Sequence, residues 1–189
     1  ATSGSVYTAD IAPSADGTVT IDIAAGVCTD GASNSNTAAA QFSIDYDATA
    51  PGVALSTLES DPTNNAPFEV TVTFNEDVSG FTLGDITVGN GSASNLGVVT
   101  ANRVWTVDIT PSADGEVTVD IASGIATDDA GNENTAATQL GITYDATVPT
   151  VSITSSESDP TNASPFTATF TFSEDVTGFT IDDITVGNG

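Results

Sequence analysis

The sequence repeats itself at a period of 98 residues. Residues 1–91 overlay 99–189 without a gap, and more than half of the aligned positions are identical. Asp16 aligns with Asp114, Tyr46 with Tyr144, Asp47 with Asp145, Asp61 with Asp159, and Phe74 with Phe172. A unit of this length is a common domain size with a modest core. The repeat predicts one complete module over 47–144. Before it, 1–46 reads as the C-terminal part of a module, strands about D/E to G. After it, 145–189 reads as the N-terminal part of a further one, strands A to C. The chain therefore reads as a segment of something longer.

Within the module, apolar residues alternate with polar ones at the period of a strand. Phe68, Val70, Val72 and Phe74 face one way, with Glu69, Thr71 and Thr73 facing the other. The expected strands are A (52–57), B (67–75), C (85–88), a weak D (94–99), E (104–110), F (116–121) and G (138–144). Helix formers are scarce, Thr and Val abound, and Gly, Asp, Asn and Pro punctuate the runs. The expectation is an all-β protein of tandem Ig-like Greek-key β-sandwich modules, about seven strands each. Trp105 and its counterpart Tyr7 fall at inward strand positions and read as core. Cys28 aligns with Ala126, so it reads as a small buried or half-buried side chain, with no second cysteine for an internal disulfide.

Charge narrows the function. The chain holds 26 Asp and Glu, one basic residue (Arg103) and no His, for a formal net charge of −25. Without a cationic surface it cannot displace counterions from nucleic acid. Anionic membranes repel it, and no apolar run approaches the roughly 18 residues of a membrane span. An enzyme would have only carboxylates to work with, since there is no Gly-x-Ser-x-Gly or phosphate loop. Those carboxylates recur in each copy at turns and junctions, which argues against catalysis.

The acids have a pattern. Tyr46-Asp47-Ala48-Thr49-Ala50-Pro51 recurs as Tyr144-Asp145-Ala146-Thr147-Val148-Pro149, a short Pro-ended junction between modules. In Greek-key order the entry Asp47, the B–C loop (Glu76, Asp77) and the F–G loop (Asp128, Asp129, Asn132) converge on one pole, with Asp85 beside them. The other copies supply Asp145, Glu174, Asp175 and Asp183, and Asp30 with Asn34. Crowded carboxylates repel unless protonated or bridged by a cation. Ca²⁺ fits best, because it takes six to eight hard oxygens in irregular geometry. Mg²⁺ is stricter and ranks second, and Zn²⁺ lacks its usual His and Cys ligands. The plainer alternative is ordinary Asp and Asn turn chemistry on a solubilising surface. Asp16, Asp61, Asp114 and Asp159 are expected at the opposite pole, chiefly as turn formers and, in the lesser alternative, as junction contacts.

Four runs carry a resemblance. They are Ser60-Asp61-Pro62-Thr63-Asn64, Phe74-Asn75-Glu76-Asp77-Val78-Ser79-Gly80-Phe81, Asp85-Ile86-Thr87-Val88 and Thr127-Asp128-Asp129-Ala130-Gly131-Asn132. Together they resemble the bacterial Ig-like repeats that build the extender regions of large secreted surface adhesins, including the RTX type. The resemblance implies an extracellular, calcium-rigidified rod at the bacterial cell surface. Its partners would be neighbouring modules of the same or identical chains. The chain departs from antibody-type domains in lacking the cysteine pair, a Trp on strand C and a Tyr before strand F. In the first copy the acidic loop reads Thr29-Asp30-Gly31-Ala32-Ser33-Asn34, without the second Asp and with Ser in place of Gly. A second expectation is a homopolymer, a filament in which partial modules of neighbouring chains complete one another by β-strand addition.

Overall fold

The structure, a computed structural model, describes residues 4–187. It divides into two compact units, Ala1–Asp145 and Ala146–Gly189.

In the first unit, β1 (Gly17–Ile21) pairs antiparallel with β2 (Phe42–Tyr46). The chain then enters β3 (Val53–Ser56), β4 (Phe68–Phe74), a 3-10 turn at Leu83–Asp85, and β5 (Ile86–Gly89). It continues through β6 (Gly91–Thr100), β7 (Val104–Pro111), β8 (Gly115–Ile121) and β9 (Leu140–Tyr144). One sheet has the order β3-β4-β7-β6 and the other β5-β8-β9. Named A to G along the chain, these seven strands form an ABED sheet and a CFG sheet.

Two-residue periodicity explains the packing, because alternate side chains of a strand share a face. Phe68, Val70, Val72 and Phe74 of β4 are buried, as are Trp105, Val107 and Ile109 of β7. From the second sheet, Val117, Val119 and Ile121 of β8 and Ile142 of β9 join the same core. Phe74, Phe81 and Trp105 pack edge to face, with centroids 5.0–5.7 Å apart. Such geometry sets the positive ring edge against the negative face.

Strand D is stronger than its sequence. β6 runs ten residues, and its register against β7 shifts between Ser94 and Gly97 and between Val98 and Thr100. Asn95 sits there at φ 53°. Bulges of this kind break the alternation, which is why the run reads weakly as a sequence. The Gly89-Asn90-Gly91 turn carries the chain from one sheet to the other. A Cβ on Gly91 would lie 2.9 Å from the Thr110 carbonyl oxygen, so the close passage needs glycine.

The partial modules carry less strand than expected. Strand E is absent near residues 5–12, and Tyr7 is 73% exposed rather than inward. In the complete module E pairs with B and D, and neither has a counterpart within 1–46. In the second unit β10 (Val151–Ser155) pairs with β11 (Ala168–Phe172), followed by a 3-10 turn at Ile181–Asp183. The expected strand C is not formed over 184–187, since its ladder partner F has no counterpart in that unit. Phe172 and Phe179 keep the edge-to-face contact of Phe74 and Phe81.

Candidate metal centre

The site is built where three segments of the complete module are stitched together. β3 runs antiparallel to β4 with Val53 opposite Phe74, so module entry and the B–C loop share a pole. Asn75 closes this corner: its side-chain oxygen accepts from Gly52 N–H at 2.8 Å, and its own N–H donates to the Gly52 carbonyl at 3.0 Å. Ser79 and Thr127 exchange backbone hydrogen bonds at 2.7 and 3.0 Å, joining the B–C loop to the F–G loop. Thr135 N–H donates to the Pro51 carbonyl at 2.9 Å, which brings the F–G loop to the junction.

Asn134 braces the F–G loop from inside. It is 2% exposed, its Oδ1 accepts from the N–H groups of Ile125 and Ala126, and its Nδ2 donates to the carbonyls of Ala122 and Thr135. Asn36 makes the same four bonds in the first copy. The tip of the loop closes on Asp128, whose carboxylate accepts from Asn132 N–H at 2.8 Å and from Asn132 Nδ2 at 2.9 Å. Gly131 sits there at φ +90°, a left-handed conformation that glycine adopts without steric cost. In the first copy Ser33 occupies that position at φ 70°.

On this frame one oxygen from each of Asp47, Glu76 and Asp128 lies within 4.8 Å of the others. Asp47 is exposed, Glu76 half-buried and Asp128 buried. Burial pushes the Glu76 carboxyl above its ordinary value, the charges of Asp128 and Asp47 push it further, and Arg103 opposes them. Asp128 is held low, first by the Asn132 side chain and then by nearby backbone N–H groups, against its burial. The spacing suits a hard cation. Two oxygens each about 2.4 Å from one Ca²⁺ ion stand at most about 4.8 Å apart. Three carboxylates supply up to six oxygens, and none of the soft donors that zinc favours is present.

The remaining candidates lie elsewhere. Asp77 turns away to Arg103, with Oδ1 3.5 Å from Nε, because that guanidinium is anchored on the Asn75 carbonyl at 2.9 Å. Asp85 caps the 3-10 turn, accepting from Thr82 N–H and hydroxyl at 2.8 Å each. Asp183 does the same with Thr180 in the second unit. Asp129 is exposed at the loop tip. Asn132 borders the cluster as a donor to Asp128 and to the Asp47 carbonyl. Asp145 leaves β9 with its N–H donating to the Thr63 carbonyl at 2.9 Å. Asp30 and Asn34 reproduce the closed loop of Asp128 and Asn132. Glu174 holds the position of Glu76, with Oε1 shielded from solvent and without a hydrogen-bond partner; Asp175 beside it is exposed.

Of the two roles the sequence leaves Asp16, turn former and junction contact, the structure shows the lesser: its carboxylate reaches the junction, where it accepts from Ala48 N–H at 2.9 Å and from the Thr49 hydroxyl. The signal was topological, since the E–F turn of one module lies where the chain enters the next. Asp61 stays within the complete module, accepting from Thr143 N–H of β9 at 2.9 Å.

An ABED sheet packed on a CFG sheet, with entry and exit at opposite poles, defines a tandem immunoglobulin-like sandwich module. The chain belongs to the bacterial Ig-like domain family, whose sequence profile matches residues 47–144 and 145–189. Domains of this family are structural, non-enzymatic modules typical of extracellular and surface proteins. No curated protein and no solved structure matches the chain. Among the described residues no helix is long and apolar enough to cross a membrane.

Proposed function

We propose that this chain is an extender segment of a bacterial surface adhesin, a rod of modules whose joints are stiffened by Ca²⁺. The observation that carries this reading is the meeting of Asp47, Glu76 and Asp128 at the entry to the complete module. One residue comes from the junction and two from loops of the module it enters. A cation held by all three ties the linker to that module, removing the freedom of residues 48–50. Glu76 supports the same reading, since a half-buried carboxyl beside two others gains most from a positive partner. The shielded, unpartnered Oε1 of Glu174 is another such oxygen at the equivalent position.

Extracellular modules often bind Ca²⁺ with Kd near 10⁻⁴–10⁻³ M. At 100 times Kd one site stabilises the folded state by about 2.7 kcal/mol. That is a large share of the roughly 5–15 kcal/mol of a typical domain. The test is melting and small-angle scattering with Ca²⁺ and with chelator. The expected result is a higher melting temperature and a longer maximum dimension with Ca²⁺. Identical melts and scattering curves would contradict the proposal.

A further inference from the structure

The junction is gripped from both sides, and only one grip involves the three-carboxylate group. From the module being entered, Asn132 Nδ2 holds the Asp47 carbonyl at 3.2 Å, and Thr135 N–H holds that of Pro51 at 2.9 Å. From the preceding segment comes Asp16, in the turn just before β1. One oxygen of its carboxylate accepts from Ala48 N–H at 2.9 Å, 32 residues along the chain. The other accepts from the Thr49 hydroxyl. Thr49 is fixed a second time by its own N–H, which donates to Asp47 Oδ1 at 2.9 Å. Both Asp16 oxygens are therefore committed to the linker, and Asp16 is not one of the three clustered carboxylates. The residues belong to the repeat: Ser14-Ala15-Asp16-Gly17 and Asp47-Ala48-Thr49 recur as Ser112-Ala113-Asp114-Gly115 and Asp145-Ala146-Thr147.

We propose that Asp16 is the positioning residue of the joint, a carboxylate clasp that fixes the linker to the module it leaves and needs no cation. The inference rests on the reading of the chain as a spacer and adds a second, separable fastening. The cation ties the linker forward, to the module it enters, whereas Asp16 ties it backward. Between β2, ending at Tyr46, and β3, starting at Val53, there are only six residues, so fixing Ala48 and Thr49 leaves little freedom. A charged acceptor with two donors in a short linker is a directional restraint, stronger than neutral hydrogen bonds.

The experiment uses the 189-residue chain in cation-stripped buffer. Residual dipolar couplings are measured for β1–β2 and for linker residues 47–50, with amide exchange at Ala48, and β3–β9 serves as the reference for the Ca²⁺ arm. The wild type is expected to show one alignment tensor for both sets. Asp16→Ala is expected to give two tensors and about tenfold faster exchange at Ala48. Thr49→Val, which keeps shape and removes one donor, is expected to give a partial loss and covers the case in which Asp16→Ala misfolds. Either substitution leaving one tensor and a protected Ala48 overturns the clasp, as does a wild type that already shows two tensors without cation. Repeating the series with Ca²⁺ separates the two readings. A joint that stiffens with Ca²⁺ but ignores Asp16→Ala removes the clasp alone. A joint that ignores Ca²⁺ but loosens in Asp16→Ala supports the clasp and removes the cation.

Discussion

Asn132 Nδ2 donates to the main-chain carbonyl of Asp47 at 3.2 Å, across 85 residues of sequence. The same nitrogen donates to Asp128 Oδ2 at 2.9 Å. One amide thus sets the junction against the F–G loop, and the carboxylates of Asp47 and Asp128 are brought beside Glu76 as a consequence. Like charges are collected by a neutral amide donor, which leaves their repulsion to be relieved by something else.

Glu76 bears most of that repulsion, so Glu76→Gln is expected to act in opposite directions with and without cation. In chelator near neutral pH it removes a half-buried charge facing Asp128 and Asp47, and stability rises by up to about 1 kcal/mol. With Ca²⁺ the variant loses a ligand, and the added stabilisation is expected to vanish. Paired thermal melts check both halves. A variant that is less stable in chelator and still responds to Ca²⁺ would count against the account.

The pH dependence follows from two opposed shifts. Glu76 titrates above its ordinary 4.5, so its contribution is complete below that value and is lost as pH rises through its folded pKa. Asp16 and Asp128 titrate below 3.8, so theirs is present above that value and is lost as pH falls through their folded pKa values. Asp16 is held down first by the Thr49 hydroxyl and then by Ala48 N–H, and Asp128 first by Asn132. Stability in cation-stripped buffer is therefore expected to peak in mild acid and to decline toward neutrality. Denaturant titrations across pH check this, with Glu76→Gln flattening the neutral side. Parallel curves for wild type and variant would contradict it.

Asn134 is the structural keystone of the F–G loop. Asn134→Ala strands the N–H donors of half-buried Ile125 and buried Ala126 and two carbonyl acceptors, and is expected to cost about 2–4 kcal/mol. For a domain of this size, a melting point lower by more than about 10 °C is expected. A shift of only a degree or two would mean that the loop does not depend on this side chain.

Asp77 and Asp85 separate cation chemistry from local structure. Asp77→Asn touches an exposed ion pair and is expected to change stability by less than about 0.5 kcal/mol. Asp85→Asn weakens the cap on Thr82 and is expected to cost about 1 kcal/mol. Neither is expected to change Ca²⁺ affinity, which calorimetric titration reads directly. A loss of affinity in either would enlarge the site.

These particulars show how far sequence reached. β4 is legible because its apolar face goes unbroken from Phe68 to Phe74. β6 is not, because its register shifts twice and Asn95 turns left-handed, so no simple period survives. Greek-key order is enough to gather the entry, the B–C loop and the F–G loop at one pole. It does not say which side chains meet there. Glu76 and Asp77 are neighbours, and what turns Asp77 aside is Arg103, itself anchored on the Asn75 carbonyl 28 residues away. Asp85 looks like a loop carboxylate until the 3-10 turn gives it a cap to make. For Asp16 the turn reading outweighs the junction reading in sequence, yet the far pole of one module is the near side of the next joint.

The central claim is that Asp47, Glu76 and Asp128 share one cation, and long-wavelength anomalous diffraction from crystals grown with Ca²⁺ addresses it most directly. The account predicts an anomalous peak about 2.3–2.6 Å from an oxygen of each of the three residues. Crystals at saturating Ca²⁺ with no peak there, or with peaks only at other carboxylates, would contradict it.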